Sequence, residues 1–121
     1  SMNEEDFRGI GISGFTVNYI TKNMAKAAYE SGLDGVVSSP LEVKLIKGET
    51  SQEFVTVTPG VRWNSEDMTK PYETGSDDQK RVMTPLEAQK VGSDFLVIGR
   101  PITQSPDPVK TINDLKTILG G

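Results

Sequence analysis

One phrase is written twice in this chain, and it constrains the fold more than any other feature. Ser31-Gly32-Leu33-Asp34 and Val91-Gly92-Ser93-Asp94 each follow a helix-like segment and precede a short apolar run. In both, a Gly stands where a helix-capping residue of positive φ belongs, and an Asp stands at the start of a strand candidate. The unit is therefore helix, Gly cap, Asp, strand. Alternating units of this kind build parallel sheets with right-handed crossovers.

The rest of the chain fits that alternation. Val17, Ile20, Met24, Ala27 and Ala28 recur at helical steps, so Thr16 to Glu30 reads as a helix with that face toward a core. Leu33 to Val37 reads as a first strand. Ser39-Pro40 then supplies a cap and a first helical residue for a short helix ending near Gly48. Glu53 to Thr58 is β-rich and is stopped by Pro59-Gly60. A polar stretch without periodicity runs from Arg62 to Asp78. Thr84-Pro85 opens another helix, with Glu87 placed for a capping box. Asp94 to Ile98 is almost continuously apolar, as a parallel strand covered on both faces should be. Gly99-Arg100-Pro101 closes it. Val109 to Leu119 forms the last helix, with Ile112, Leu115, Ile118 and Leu119 on one face. The expected order is αβαβαβα, an α/β fold of about three parallel strands alternating with helices. At 121 residues the chain is too short for a complete (β/α)8 barrel, which needs about 250. Three strands leave two open and apolar edges, an aggregation liability unless something covers them.

Composition removes several functions. The chain has no Cys and no His, so disulfides, Cys/His zinc sites, Cys nucleophiles and Ser-His-Asp triads are excluded. Absence of Cys also fits a reducing cytoplasm. Seventeen acidic against 13 basic residues give a net charge of −4, so no basic face for nucleic acid is expected. No run of 18 apolar residues occurs, and the acidic first residues carry no apolar stretch, so neither a membrane span nor a signal peptide is expected.

Four motifs bear on chemistry. Gly9-Ile10-Gly11-Ile12-Ser13-Gly14 matches G-x-G-x-x-G, but Asn3 to Arg8 is acidic and helix-like where a dinucleotide site needs a strand, so a loop is the better reading. Asp114-Leu115-Lys116 falls on the polar side of the last helix and reads as a solvated face. Glu66-Asp67 and Asp77-Asp78 lack the spacing of a calcium loop and read as solvated loop charges. The strand ends carry more. Ser38-Ser39-Pro40, Thr58-Pro59-Gly60-Val61-Arg62 and Ile98-Gly99-Arg100-Pro101 lie at the carboxyl ends of the three strands, where parallel sheets bind ligands. Arg62 and Arg100 offer forked donors suited to phosphate, and Gly99 admits close approach of an anion to the backbone. Alternatively, Gly60 and Gly99 merely turn the chain and both arginines are surface charges.

Four blocks in register, Leu33 to Pro40, Val57 to Arg62, Asp78 to Pro85 and Asp94 to Thr103, resemble the orotidine 5′-monophosphate decarboxylase family from about Ser1 to the chain's end. The resemblance implies a (β/α)8 barrel lyase that converts orotidine 5′-monophosphate to UMP and CO2 in pyrimidine synthesis, without a cofactor or metal. It implies a homodimer in the cytoplasm. By resemblance, Gly99 and Arg100 match the phosphate-binding pair on the last strand. Gln79 matches the closing-loop glutamine that bridges phosphate and base, and Arg62 matches a ligand-binding arginine. The stretch from Trp63 to Asp78 matches a mobile loop, and Ser38 stands where many members have Cys. The family's proton-transfer array, Asp-x-Lys-x-x-Asp with a further Lys, has no complete counterpart; Asp114-x-Lys116 has Leu119 in the last place. No catalytic residue is therefore assigned. The whole chain, 1–121, is expected to be a C-terminal half-barrel segment holding strands six to eight. Its partners would be orotidine 5′-monophosphate or UMP, and either the missing N-terminal half or a second copy. The alternative is a non-enzymatic, self-associating phosphate-binding αβ module.

Overall fold

A computed structural model describes residues 17–72 and 82–120. The elements are α1 (Val17–Glu30), β1 (Gly35–Val37), a 3-10 turn (Pro40–Glu42) running into α2 (Val43–Glu49), β2 (Val55–Thr58), α3 (Pro85–Lys90), β3 (Phe95–Leu96), α4 (Arg100–Thr103) and α5 (Pro108–Ile118). The three strands form one sheet in the order β1-β2-β3, all parallel. Sequential neighbours with no reversal of order are the arrangement of a barrel wall.

Both copies of the repeated phrase end their helices in the same hydrogen-bond pattern. After α1, Gly32 N–H donates to Tyr29 and Leu33 N–H to Ala28; after α3, Gly92 N–H donates to Gln89 and Ser93 N–H to Ala88. These are Schellman motifs, and Gly32 and Gly92 take the positive φ they need, 88° and 103°. The starts are as local. Ser39 accepts from Leu41 N–H at 3.2 Å. Thr84 and Glu87 close a reciprocal capping box, at 3.0 and 3.2 Å.

Strand pairing sets the two faces. Val37 pairs with Val57 and Val57 with Phe95, which puts these residues on one face; Val36, Thr56, Thr58 and Leu96 lie on the other. The second face is covered by helices. Ala25 of α1, Ile46 of α2 and Phe54 form its core, with Ala28 and Val36 against them and Tyr29 edge-on to Phe54 at 5.4 Å. The first face is bare among the described residues: Val37 is 73%, Phe95 61% and Val97 53% exposed. This corrects the expectation that the third strand is covered on both faces. Among the described residues the helices lie on one side only, so the other face of that apolar strand is left uncovered by them.

Two smaller corrections follow from the same geometry. The buried stripe of α1 runs through Val17 and Ala25, with Ala28 partly buried, while Met24 and Ala27 are exposed. Regular β3 spans two residues, although ladder hydrogen bonds from Asp94 N–H to Thr56 and Val97 N–H to Thr58 extend it toward the expected length. Gly35 is where two backbones meet closely. A Cβ there would run into the carbonyl and side chain of Val55, its β2 partner. Gly35→Ala is expected to cost about 1–3 kcal/mol, read as a lower urea midpoint at unchanged slope.

Candidate functional site

The parallel order brings the ends of β2 and β3 side by side. After β2 the chain turns at Pro59-Gly60, where Gly60 has φ 78°. Val61 and Trp63 are buried, and between them Arg62 N–H donates to Met83 at 3.0 Å. These anchors fix the Arg62 backbone beside the site. After β3 the chain enters α4 at Gly99, so Arg100 begins a helix rather than closing a turn. That helix was not foreseen; four residues are too few to show a period. By helix geometry the Arg100 N–H has no intrahelical acceptor, and Pro101 has no N–H at all. A Cβ built on Gly99 would meet nothing within 4 Å. The space beside that backbone is open, as close approach of a ligand requires.

Arg62 and Arg100 line one cavity of about 550 Å³. Segment 62–72 forms one wall; α4 and the first turns of α5, with Asp107, Lys110 and Asp114, form the other. Its charges are unequally committed. Lys110 Nζ donates to Asp114 Oδ2 at 2.9 Å, and that bond raises the Lys110 pKa above its ordinary value. Asp107 accepts from Lys110 N–H as the cap of α5. Among the described residues the ion pairs are Lys22–Glu49, Lys47–Asp94 and Lys110–Asp114, so neither arginine is neutralised by a carboxylate. Two forked cations thus face a cavity with no carboxylate partner among the described residues, a setting suited to an anionic, phosphate-like group.

The wall 62–72 is a built turn. Asn64 N–H donates to Lys70 at 2.9 Å, and Asn64 Oδ1 accepts from Glu66 N–H at 2.8 Å. Asp67 accepts from Thr69 Oγ1 at 2.6 Å and from Thr69 N–H at 2.9 Å, bonds that hold its carboxyl below the usual range. The turn returns the chain so that Tyr72 lies against Arg62, with the guanidinium carbon 5.4 Å from the ring centre. Sequence reasoning missed Tyr72, and only its place in an aperiodic polar stretch next to an arginine hinted at it.

Gln79, Asp77-Asp78 and the Gly9–Gly14 motif lie outside the described residues. Glu66-Asp67 holds no metal-like cluster; among the described residues no group of three potential ligands is present. Asp114 sits on the solvated face of α5, as expected, yet also reaches the cavity rim. The buried Ser38 hydroxyl has no hydrogen-bond partner among the described residues. Also among them, no helix is long and apolar enough to cross a membrane.

Comparison with known proteins agrees with this geometry. The solved orotidine 5′-phosphate decarboxylase of Lactobacillus acidophilus superposes with a TM-score of 0.72 at 30% identity, over 98% of this chain and 44% of that one. An uncharacterized conserved protein of Geobacillus kaustophilus gives 0.73 at 30% identity, over the same shares. The orotidine 5′-phosphate decarboxylase of Hydrogenovibrio crunogenus is 42% identical over 99% of this chain and 47% of its own length. That of Sodalis glossinidius is 49% identical over 93% of this chain and 41% of its own. The chain thus spans a little under half the length of these relatives, and its three strands are part of a (β/α)8 barrel wall. The family model described as "Orotidine 5'-phosphate decarboxylase / HUMPS family" matches residues 1–115. With the parallel wall, the paired arginines at its carboxyl ends and relatives that carry the same segment, the chain belongs to the orotidine 5′-phosphate decarboxylase / HUMPS family.

Proposed function

We propose that this chain is the phosphate-gripping side of an orotidine 5′-monophosphate decarboxylase site, on a C-terminal half-barrel segment spanning 1–121. The observation that carries the reading is the cavity shared by Arg62 and Arg100 at adjacent strand ends, with neither cation neutralised by a carboxylate among the described residues. Arg100 and the Gly99–Arg100 backbone grip the phosphate; Arg62 closes on it from the opposite wall, and Gln79 joins phosphate to base. The bound species are orotidine 5′-monophosphate and its product UMP. The rest of the barrel supplies the Asp/Lys array that this sequence lacks, and the whole enzyme works as a cytoplasmic homodimer in pyrimidine synthesis. No cofactor takes part in this reading.

UMP titration by calorimetry tests it. The chain should bind UMP weakly, and Arg100→Ala should weaken binding by about 10- to 100-fold, the worth of a hydrogen bond to a charged group. Equal affinity in the variant overturns the assignment of Arg100. The alternative reading is a phosphate-binding module that covers the bare face of Val37, Phe95 and Val97 with its own copy. A dimer in light scattering that Phe95→Asp dissociates would support it.

A further inference from the structure

We propose that Tyr72 is a positioning residue for Arg62: its ring carries the flat face of the guanidinium, so that the edge N–H donors stay free for the anionic group of the ligand. The inference rests on the reading of Arg62 as a ligand-binding arginine, and it assigns the residue that holds that arginine ready.

The geometry supports it from both sides. Arg62 and Tyr72 line the same cavity, with the guanidinium carbon over the ring at 5.4 Å from its centre, inside the ~6 Å reach of a cation–π contact. Ring stacking uses the face of the guanidinium, whereas a forked grip on phosphate uses its edge, so the two are compatible. The arrangement is imposed by the chain. Arg62 is held by its bond to Met83, and the turn is closed from Asn64 to Lys70. Only Pro71, with its restricted φ, separates that closed turn from Tyr72. Both partners thus arrive on fixed backbone, and an otherwise long, mobile side chain is ordered before the ligand comes. Ordering it beforehand removes a cost that binding would otherwise carry. No carboxylate does this work at Arg62 among the described residues, and none should, because an ion pair would compete with the phosphate.

The experiment combines UMP titration with NMR of the Arg62 Nε–Hε group, assigned through Arg62→Lys. In the unmodified chain the Hε signal should be shifted upfield by the ring current. Tyr72→Phe, which keeps the ring, should preserve the shift and the UMP affinity. Tyr72→Leu should lose the shift and bind UMP about 2- to 5-fold more weakly, with an unchanged unfolding midpoint. Unaltered affinity in Tyr72→Leu overturns the proposal, as does weaker binding with the Arg62 signal unmoved, because Tyr72 would then act through the turn. If Arg62→Lys leaves UMP affinity unchanged, or the unmodified chain binds no UMP, the reading of Arg62 fails and the proposal fails with it. The ring-current shift would then report a contact without a binding role, so the two failures are told apart.

Discussion

Asp94→Ala should destabilise the chain by about 2–3 kcal/mol, somewhat below the usual cost of breaking a buried ion pair. Asp94 Oδ2 accepts from Lys47 Nζ at 2.8 Å, from Thr56 N–H at 2.9 Å and from Thr56 Oγ1 at 3.2 Å. Lys47 also donates to the Gln52 carbonyl at 2.9 Å. One carboxylate therefore joins α2, β2 and the start of β3. Removing it strands an ammonium whose side chain is 6% exposed. The loss is reduced from the fully buried case because the Asp94 side chain is 36% exposed and water reaches the site. Burial pushes the Asp94 pKa up, but the Lys47 hydrogen bond, the Thr56 hydrogen bonds and attraction to Lys47 outweigh it, and the net shift is down. A depressed native pKa contributes stability that is present above the unfolded value of about 4 and is lost as pH falls through the native value. Asp94→Asn should therefore be less stable than the unmodified chain at pH 7, and the gap should close below about pH 4. Urea unfolding between pH 7 and 2.5 measures it. A gap that stays constant through that range would show that the ion pair is not its source.

The second expected result is larger. These 121 residues alone should decarboxylate orotidine 5′-monophosphate at the uncatalysed rate, at least ~10⁶-fold below an enzyme with its full site. Loss of CO2 leaves a carbanion, and the step needs a positioned proton donor with electrostatic control at the leaving carboxylate. Among the described residues, the cations lining the cavity are Arg62, Arg100 and Lys110. The guanidinium does not give up a proton near neutral pH, and Lys110 is tied to Asp114. The Asp114-x-Lys116 pair stands on the exposed side of α5 around the buried Leu115, where it cannot form a closed site. Adding a polypeptide equivalent to the other half of a relative should restore turnover and cover Val37, Phe95 and Val97 at the same time. Release of labelled CO2 is the readout. Turnover by the 121 residues alone, abolished by Arg100→Ala, would sink the division of the site into a gripping and a proton-transfer half.

Much of the fold was legible because its signals are local. A cap needs residues within a turn of one another, so Ser39, Thr84 with Glu87, Gly32 and Gly92 could be placed from their neighbours alone. The carboxyl ends of the strands followed from the alternation, and with them the positions of Arg62 and Arg100. Helix α4 was illegible because a four-residue helix with Pro101 inside reads as a turn. The contact of Tyr72 with Arg62 was illegible because nine residues of aperiodic chain lie between them, and only the hydrogen bonds from Asn64 to Lys70 decide where that segment returns. The role of α5 as a cavity wall was hidden by a helix pattern that separates apolar from polar but not cavity from solvent.

The twice-written phrase marks the boundary between the two kinds of knowledge. By itself the sequence determined that both copies end a helix in a Gly cap and begin a parallel strand, because short-range sterics and hydrogen bonding dictate those conformations. It wrote an Asp into each copy without distinguishing them. Tertiary structure decided that Asp94 is bound by Lys47 and Thr56, while the exposed Asp34 carboxylate has no hydrogen bond among the described residues. The reason is that each such Asp is met by the unit before its own. Asp94 has β2 and α2 before it, whereas among the described residues no strand lies beyond β1 on its other side.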